Sequence, residues 1–212
     1  MQRASPPVPL GVASQGSVEL LRQPRNATKC RVERFVTGQG EHAVRKVPRG
    51  TVWTRWISSF LLRREAHFVN RLQHLPCIPR VLETRADVLI VEYVPGRTLT
   101  DARAEGVAKP VADAVVRAVR ALHAAGVAHG ALGRRDILLA DDGRVLILDL
   151  ATAVSAVHPP LLGRWLLPWL QRRDRARVGR ALAMLRARWE QRAHAEPCQD
   201  EPRRMEPEPK RS

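Results

Sequence analysis

Residues Leu122–Ala151 read LHAAGVAHGALGRRDILLADDGRVLILDLA, and the order of apolar runs, turn residues and carboxylates in this stretch decides the fold. Leading into it, Val111, Val115, Val119 and Leu122 recur at helical spacing and Gly126 closes the run, which predicts an amphipathic helix over 111–124. Ile137–Leu139 is a short apolar run, Asp141-Asp142-Gly143 is a strong turn signal, and Val145–Leu148 is a second run, so a β-hairpin follows. His129–Asp136 therefore occupies a loop between helix and hairpin, and Asp149 stands where the second strand stops. Taken singly, His129 reads equally well as a core histidine, Asp136 as a cap and Asp149 as a turn residue. Their shared register points instead to a site, since strand ends and adjoining loops are where sites are commonly built.

That register resembles the protein-kinase-like superfamily, whose signature is His-Arg-Asp or His-Gly-Asp, then Leu, then Asn, then a hairpin and Asp-Phe-Gly. Here the residues are His129-Gly130-Ala131-Leu132-Gly133-Arg134-Arg135-Asp136 and Asp149-Leu150-Ala151, with Ala131 and Asp136 offset by five and Asp136 and Asp149 by thirteen, as in the family. The His-Gly pair is more similar to the small-molecule, lipopolysaccharide-core and other atypical bacterial kinases than to eukaryotic protein kinases. The resemblance implies an α+β, two-lobed fold with a small β-rich N-lobe over 17–95 and a truncated, mainly helical C-lobe over 96–193. It also implies ATP and Mg2+ as cofactors.

Other elements of such a fold follow in order. Residues 30–36 and 41–47 flank Thr37-Gly38-Gln39-Gly40 as a second hairpin, with Lys46 ending its second strand. In the resembled family a lysine here binds nucleotide phosphates and pairs with a glutamate on the next helix. Glu65, on a helix expected from about Val52 to Leu72, is the matching partner. The chain has only four lysines, Lys29, Lys46, Lys109 and Lys210, among many arginines. Lysine and arginine are not interchangeable at a phosphate, so a lysine at this one strand position carries weight. The plain alternative is a lysine snorkelling from a strand end and a glutamate on a solvated face.

Ile78–Leu82 reads as the short strand after that helix. The run Leu89–Val94, entering Pro95-Gly96, resembles the kinase hinge, where the backbone groups of Glu92 and Val94 would bind adenine. The phosphate loop of the family would fall in Leu21–Thr28, LRQPRNAT, which has no glycine to let backbone amides approach a phosphate closely.

The central departure is Ala131, at the position of the aspartate that handles the acceptor's proton. Loss of a general base removes about 10²- to 10⁴-fold of rate. The implied function is an impaired kinase or a pseudokinase; the alternatives are an active atypical kinase transferring the ATP γ-phosphate to a lipid, lipopolysaccharide-type or protein hydroxyl, and a nucleotide-independent binding module. Asp136 replaces an asparagine and remains an oxygen ligand for magnesium beside Asp149. Asp136 is also the one residue placed to substitute as base.

After Asp149 a single helical region is expected, with Val178, Leu182, Leu185 and Trp189 at helical spacing within 174–189. No long activation segment or Ala-Pro-Glu anchor follows. The apolar, Trp-bearing stretch 161–170, with Arg172 and Arg173, is too short to span a bilayer but suits an interfacial contact. A formal charge of +15 calls for an anionic partner. Aromatics at 4% and the lack of a nucleic-acid motif speak against nucleic acid and for an anionic membrane surface, a lipid or lipopolysaccharide-type substrate, or a partner protein. Three cysteines with no pairing or metal spacing, and prolines where a signal peptide needs an apolar core, place the protein in the cytoplasm, peripherally at the inner membrane face. Residues 1–16 and 194–212 read as disordered.

Overall fold

The computed structural model describes residues 19–22, 30–49, 51–157 and 163–195. Strands β1 (Glu19–Arg22), β2 (Arg31–Val36), β3 (His42–Val47), β4 (Val81–Arg85) and β5 (Val88–Glu92) form one antiparallel sheet in the order β1-β2-β3-β5-β4. Helix α1 (Val52–Arg71) joins β3 to β4 and packs against the sheet and against the turn that follows Asp149. Beyond the sheet lie β6 (Gly96–Thr98), α2 (Lys109–Ala124), β7 (Val127–Ala128), the hairpin β8 (Ile137–Ala140) and β9 (Val145–Ile147), β10 (Val154–Ser155) and α3 (Gly163–Ala195). β6 adds to the hairpin, and β7 pairs with β10.

The local reasons are largely visible in the residues. α2 starts two residues before its first periodic valine because Pro110, in the first turn, has no amide to leave unpaired. It stops at Gly126, whose φ of +73° is one that L side chains rarely adopt. β4 begins at Val81, later than the expected Ile78. The Ile78 amide is used by a turn to Leu75, Pro79 has no amide, and the Gln73 side chain holds both the Pro79 carbonyl and the Val81 amide. β9 ends at Ile147 because the Leu148 amide turns back to the Asp136 carbonyl at 2.7 Å.

The largest departure from expectation is α3. The helix expected over 174–189 is continuous from Gly163 to Ala195, takes in the Trp-bearing stretch despite Pro168, and overlaps the start of the expected tail at 194. Leu170, Asp174, Val178, Leu182 and Leu185 form its buried stripe, and that packing outweighs one lost helical hydrogen bond.

One core runs through the molecule. It joins Leu62 and Phe68 of α1 and Leu72 at its end to Leu89 and Val91 of the sheet, Val115, Val119 and Leu122 of α2, Ile147 of β9, Leu132 and Leu150 of the connecting segments, and Val178, Leu182 and Leu185 of α3. The site residues lie along the edge of this core. Residues 23–29, which contain most of the glycine-free segment between β1 and β2, fall outside the described residues, as do 1–18 and 196–212.

Candidate functional site

Lys46, near the end of β3, and Glu65, in the third quarter of α1, form a buried ion pair. Side-chain exposure is 17% for the lysine and 7% for the glutamate, so both must be compensated within the protein. Burial acts to lower the Lys46 pKa, but the Glu65 and Asp149 carboxylates outweigh it and hold the ammonium above its ordinary range. For Glu65 burial is the largest influence and pushes the carboxyl up, with Lys46 opposing it and Asp149 adding to it. One cation thus faces two carboxylates, an excess of negative charge that favours a further cation. Cys30, just ahead of β2, is part of the same cluster. Burial, then Glu65, pushes its thiol up to about 11, and its Sγ lies 3.8 Å from the Ser58 carbonyl.

Asp149 has φ 61° and ψ 63°, the left-handed region, and is the one non-glycine residue with positive φ among the described residues. Such a conformation costs of order 1–3 kcal/mol and clusters at functional sites. A single 3-10 turn, Leu150–Thr152, follows it, and Arg64 of α1 grips that turn, Nε to the Ala151 carbonyl at 3.1 Å and one terminal nitrogen to the Ala153 carbonyl at 2.5 Å. Adjacent residues of α1 therefore address both parts of the site: Glu65 holds Lys46, and Arg64 holds the segment behind Asp149.

Asp136 ends a second 3-10 turn, Arg134–Asp136, with its Oδ2 accepting the Gly133 amide at 2.9 Å. The Asp136 carbonyl to Leu148 amide bond sets Asp136 and Asp149 side by side at the open end of the β8–β9 hairpin. No cluster of three or more His, Cys, Asp and Glu ligands occurs among the described residues. Two half-exposed carboxylates are nevertheless a donor set suited to Mg2+, which keeps several waters and takes one or two carboxylates together with substrate phosphates. The Asp149 carboxylate accepts no hydrogen bond from a described residue, which leaves it available to a cation.

Ala131, between these elements, is exposed and presents only a methyl group. The loop that carries it is fixed from below by a residue that the pattern of motifs does not reveal. Asp174 of α3 is fully buried and accepts the amides of His129 at 2.8 Å and Gly130 at 3.3 Å, with His123 Nε2 at 3.5 Å. Burial pushes its carboxyl up, but His123 and the Gly130 and His129 groups outweigh this and hold it below the usual carboxylate range. Gly130, at φ +80°, leaves no room for a side chain, since a Cβ would lie 2.7 Å from the Thr152 carbonyl. His129 is 1% exposed, and its Nε2 bonds the Leu148 carbonyl at 2.9 Å, so it ties the loop to the residue before Asp149. The signal that could have found Asp174 is a carboxylate in register with Leu170, Val178 and Leu182. Arg64 has no comparable signal in an arginine-rich helix.

At the hinge, the Glu92 amide donates to the Arg80 carbonyl at 2.8 Å, and its carboxylate accepts the Arg80 amide at 3.1 Å and meets Arg144 at 3.3 Å. Val94 is buried and makes no backbone hydrogen bond to a described residue. Thus Lys46, Glu65 and Asp149 are brought together, Asp136 adjoins Asp149 through the Leu148 amide, and Glu92 ends β5 with Val94 two residues beyond it.

Comparison with known proteins places this arrangement. The model of the RIO domain matches residues 31–166. The RIO-type serine/threonine-protein kinase Rio1 of Haloferax volcanii is 30% identical over 118 residues, covering 52% of this chain and 38% of that protein. The crystal structure of the Rio2 kinase from Chaetomium thermophilum superposes with a TM-score of 0.63 at 16% identity, covering 83% of this chain and 58% of that one. The chain thus spans less than two thirds of either relative. The match corrects the expected branch of the superfamily, which is not that of the lipopolysaccharide-core kinases. With its kinase-like α+β fold and this match across most of the described residues, the chain belongs to the RIO-domain family of atypical protein-kinase-like proteins.

Proposed function

We propose that this RIO-family domain binds ATP with Mg2+ and is impaired in phosphoryl transfer, a pseudokinase or close to one, because the position that handles the acceptor's proton is Ala131. The observation that carries this reading is a retained site around one missing group: Lys46 is buried with Glu65 and faces Asp149, while Ala131 offers only a methyl. In this reading Lys46 holds nucleotide phosphates, Glu65 orients Lys46, and the backbone of Glu92 and Val94 holds adenine. Asp136 and Asp149 hold Mg2+, which when bound neutralises phosphate charge. His129 and Asp174 keep the loop in place.

A second reading, an active atypical kinase acting on a lipid, lipopolysaccharide-type or protein hydroxyl, is favoured by the carboxylate of Asp136 on the same loop. Against it, one oxygen of that carboxylate is already engaged by the Gly133 amide on the metal side. The exposed Trp53, Trp56, Trp165 and Trp169, set among arginines, support contact of a cytoplasmic protein with an anionic inner-membrane face. No helix among the described residues is long and apolar enough to cross a membrane.

Mg-ATP should raise the melting temperature of the full chain, since a ligand that binds only the folded state stabilises it. No shift at millimolar ATP removes the nucleotide reading and leaves a nucleotide-independent binding module. Turnover measured beside Ala131→Asp should rise in the variant. A wild-type rate that is already substantial, and falls on Asp136→Ala with folding intact, would establish the second reading. Flotation with anionic vesicles at two salt concentrations tests the membrane contact, which should weaken with salt.

A further inference from the structure

A cavity of about 460 Å³, within the usual range for small-molecule sites, lies between the catalytic loop and α3, away from the nucleotide cleft. Its floor is apolar, including Leu132, Val178 and Met184, and its polar wall is made by Arg134, Arg177 and Arg180. No acidic side chain lines it. None of the three guanidinium groups forms a hydrogen bond or ion pair with a described residue. Other arginines of α3 are engaged: Arg186 meets Glu190 and Arg188 donates to the Arg103 carbonyl. Three arginines lining one concavity without an acidic neighbour in its lining favour an anion there, and a planar guanidinium matches phosphate oxygens in paired hydrogen bonds. The apolar floor beneath them suits a ligand that is not a bare ion.

The place of the cavity is also informative. Gly133, one of its lining residues, donates its amide to Asp136 Oδ2, so the cavity lies one hydrogen bond from a proposed metal ligand. None of Lys46, Glu65, Glu92, Val94 or Asp149 lines it. We propose that this cavity is a second ligand site, separate from the nucleotide cleft, that binds a small phosphate monoester carrying an apolar group, with the phosphate on Arg134, Arg177 and Arg180 and the apolar group over Leu132 and Met184. It stands on the arginine cluster and the cavity, and it holds whether or not the cleft binds ATP.

Phenyl phosphate and inorganic phosphate, titrated into the full chain by calorimetry, test it directly. Phenyl phosphate should bind, tighter than inorganic phosphate, and should weaken as salt is raised. Arg177→Gln together with Arg180→Gln should weaken it about a hundredfold, the product of about tenfold for each charge-assisted contact. Met184→Asp, at a half-exposed position that tolerates a polar side chain, should abolish binding and serves if the double variant does not fold. The same titration with saturating Mg-ATP should be unchanged. Absence of phenyl phosphate binding, equal affinity in the double variant, or displacement by Mg-ATP would each overturn the second site; the last would assign the phosphate to the nucleotide cleft.

Discussion

Replacing Asp174 with alanine tests the idea that α3 holds the His129–Asp136 loop through one buried carboxylate. The carboxylate accepts the His129 amide at 2.8 Å and the Gly130 amide at 3.3 Å and lies 3.5 Å from His123 Nε2, with no exposed surface. Truncation leaves two backbone donors without a partner in the interior, and each such orphan costs about 1–3 kcal/mol. The longer Gly130 bond belongs at the low end, so the expected loss is about 3–4 kcal/mol. That is a large part of the roughly 5–15 kcal/mol that holds a domain folded. Asp174→Asn keeps an acceptor oxygen and should lose only about 1–2 kcal/mol, the value of the charge in these bonds. The sign with pH follows from the depressed pKa of Asp174. The carboxylate's contribution is complete above the unfolded-state value near 4 and is lost as pH falls through the lower folded-state value. The gap between wild type and Asp174→Asn should therefore be constant from pH 7 to about 5 and shrink below about 4. Urea unfolding followed by far-ultraviolet circular dichroism measures both. A loss under about 1 kcal/mol for Asp174→Ala, or a gap that widens in acid, would refute the reasoning.

Three further outcomes are expected. Gly130→Ala forces a Cβ to 2.7 Å from the Thr152 carbonyl at a positive φ, so it should cost about 2 kcal/mol or more and lower the melting temperature by at least about 4 °C. Lys46→Met leaves Glu65 buried without its cation beside Asp149; it should destabilise by about 3 kcal/mol, be substantially rescued by adding Glu65→Leu, and abolish the Mg-ATP shift in both backgrounds, read by calorimetric melting. The Cys30 thiol, pushed up to about 11, should alkylate slowly in the native protein at pH 8, and faster in Glu65→Gln, where one of the causes of its raised pKa is gone; peptide mapping after iodoacetamide reads this.

The order of elements was legible because each is written locally. The Gly126 stop, the Asp-Gly turn at 142–143 and the alternation on either side of Thr37–Gly40 depend on neighbours in sequence. The pairing of Lys46 with Glu65, 19 residues apart on different elements, was expected from the resemblance to the kinase-like superfamily and not from local sequence. What was not legible depends on residues far apart in the chain. Asp174 reads as an ordinary helix aspartate until α3 packs under the loop 45 residues earlier. Arg64 is one of many arginines until the turn after Asp149 is laid against α1. The length of α3 was underestimated because the Trp-bearing stretch 161–170 reads as a separate interfacial segment, whereas packing along the Leu170–Leu185 stripe makes it one helix with 174–189. The strained backbone of Asp149 has no signature in its residue type, since aspartate adopts ordinary conformations elsewhere.

The distribution of tryptophan decides how this protein can be watched. All five, Trp53, Trp56, Trp165, Trp169 and Trp189, are exposed, from 44% to 83%, and none belongs to the core. Their indoles are already solvated in the native state, so intrinsic emission will hardly change when the chain unfolds and is a poor gauge of stability. The same arrangement makes it a sensitive gauge of docking. A blue shift on mixing with a vesicle or another protein would arise from indoles on the first turns of α1 or on α3 losing water, and single Trp→Phe changes would say which face had been covered.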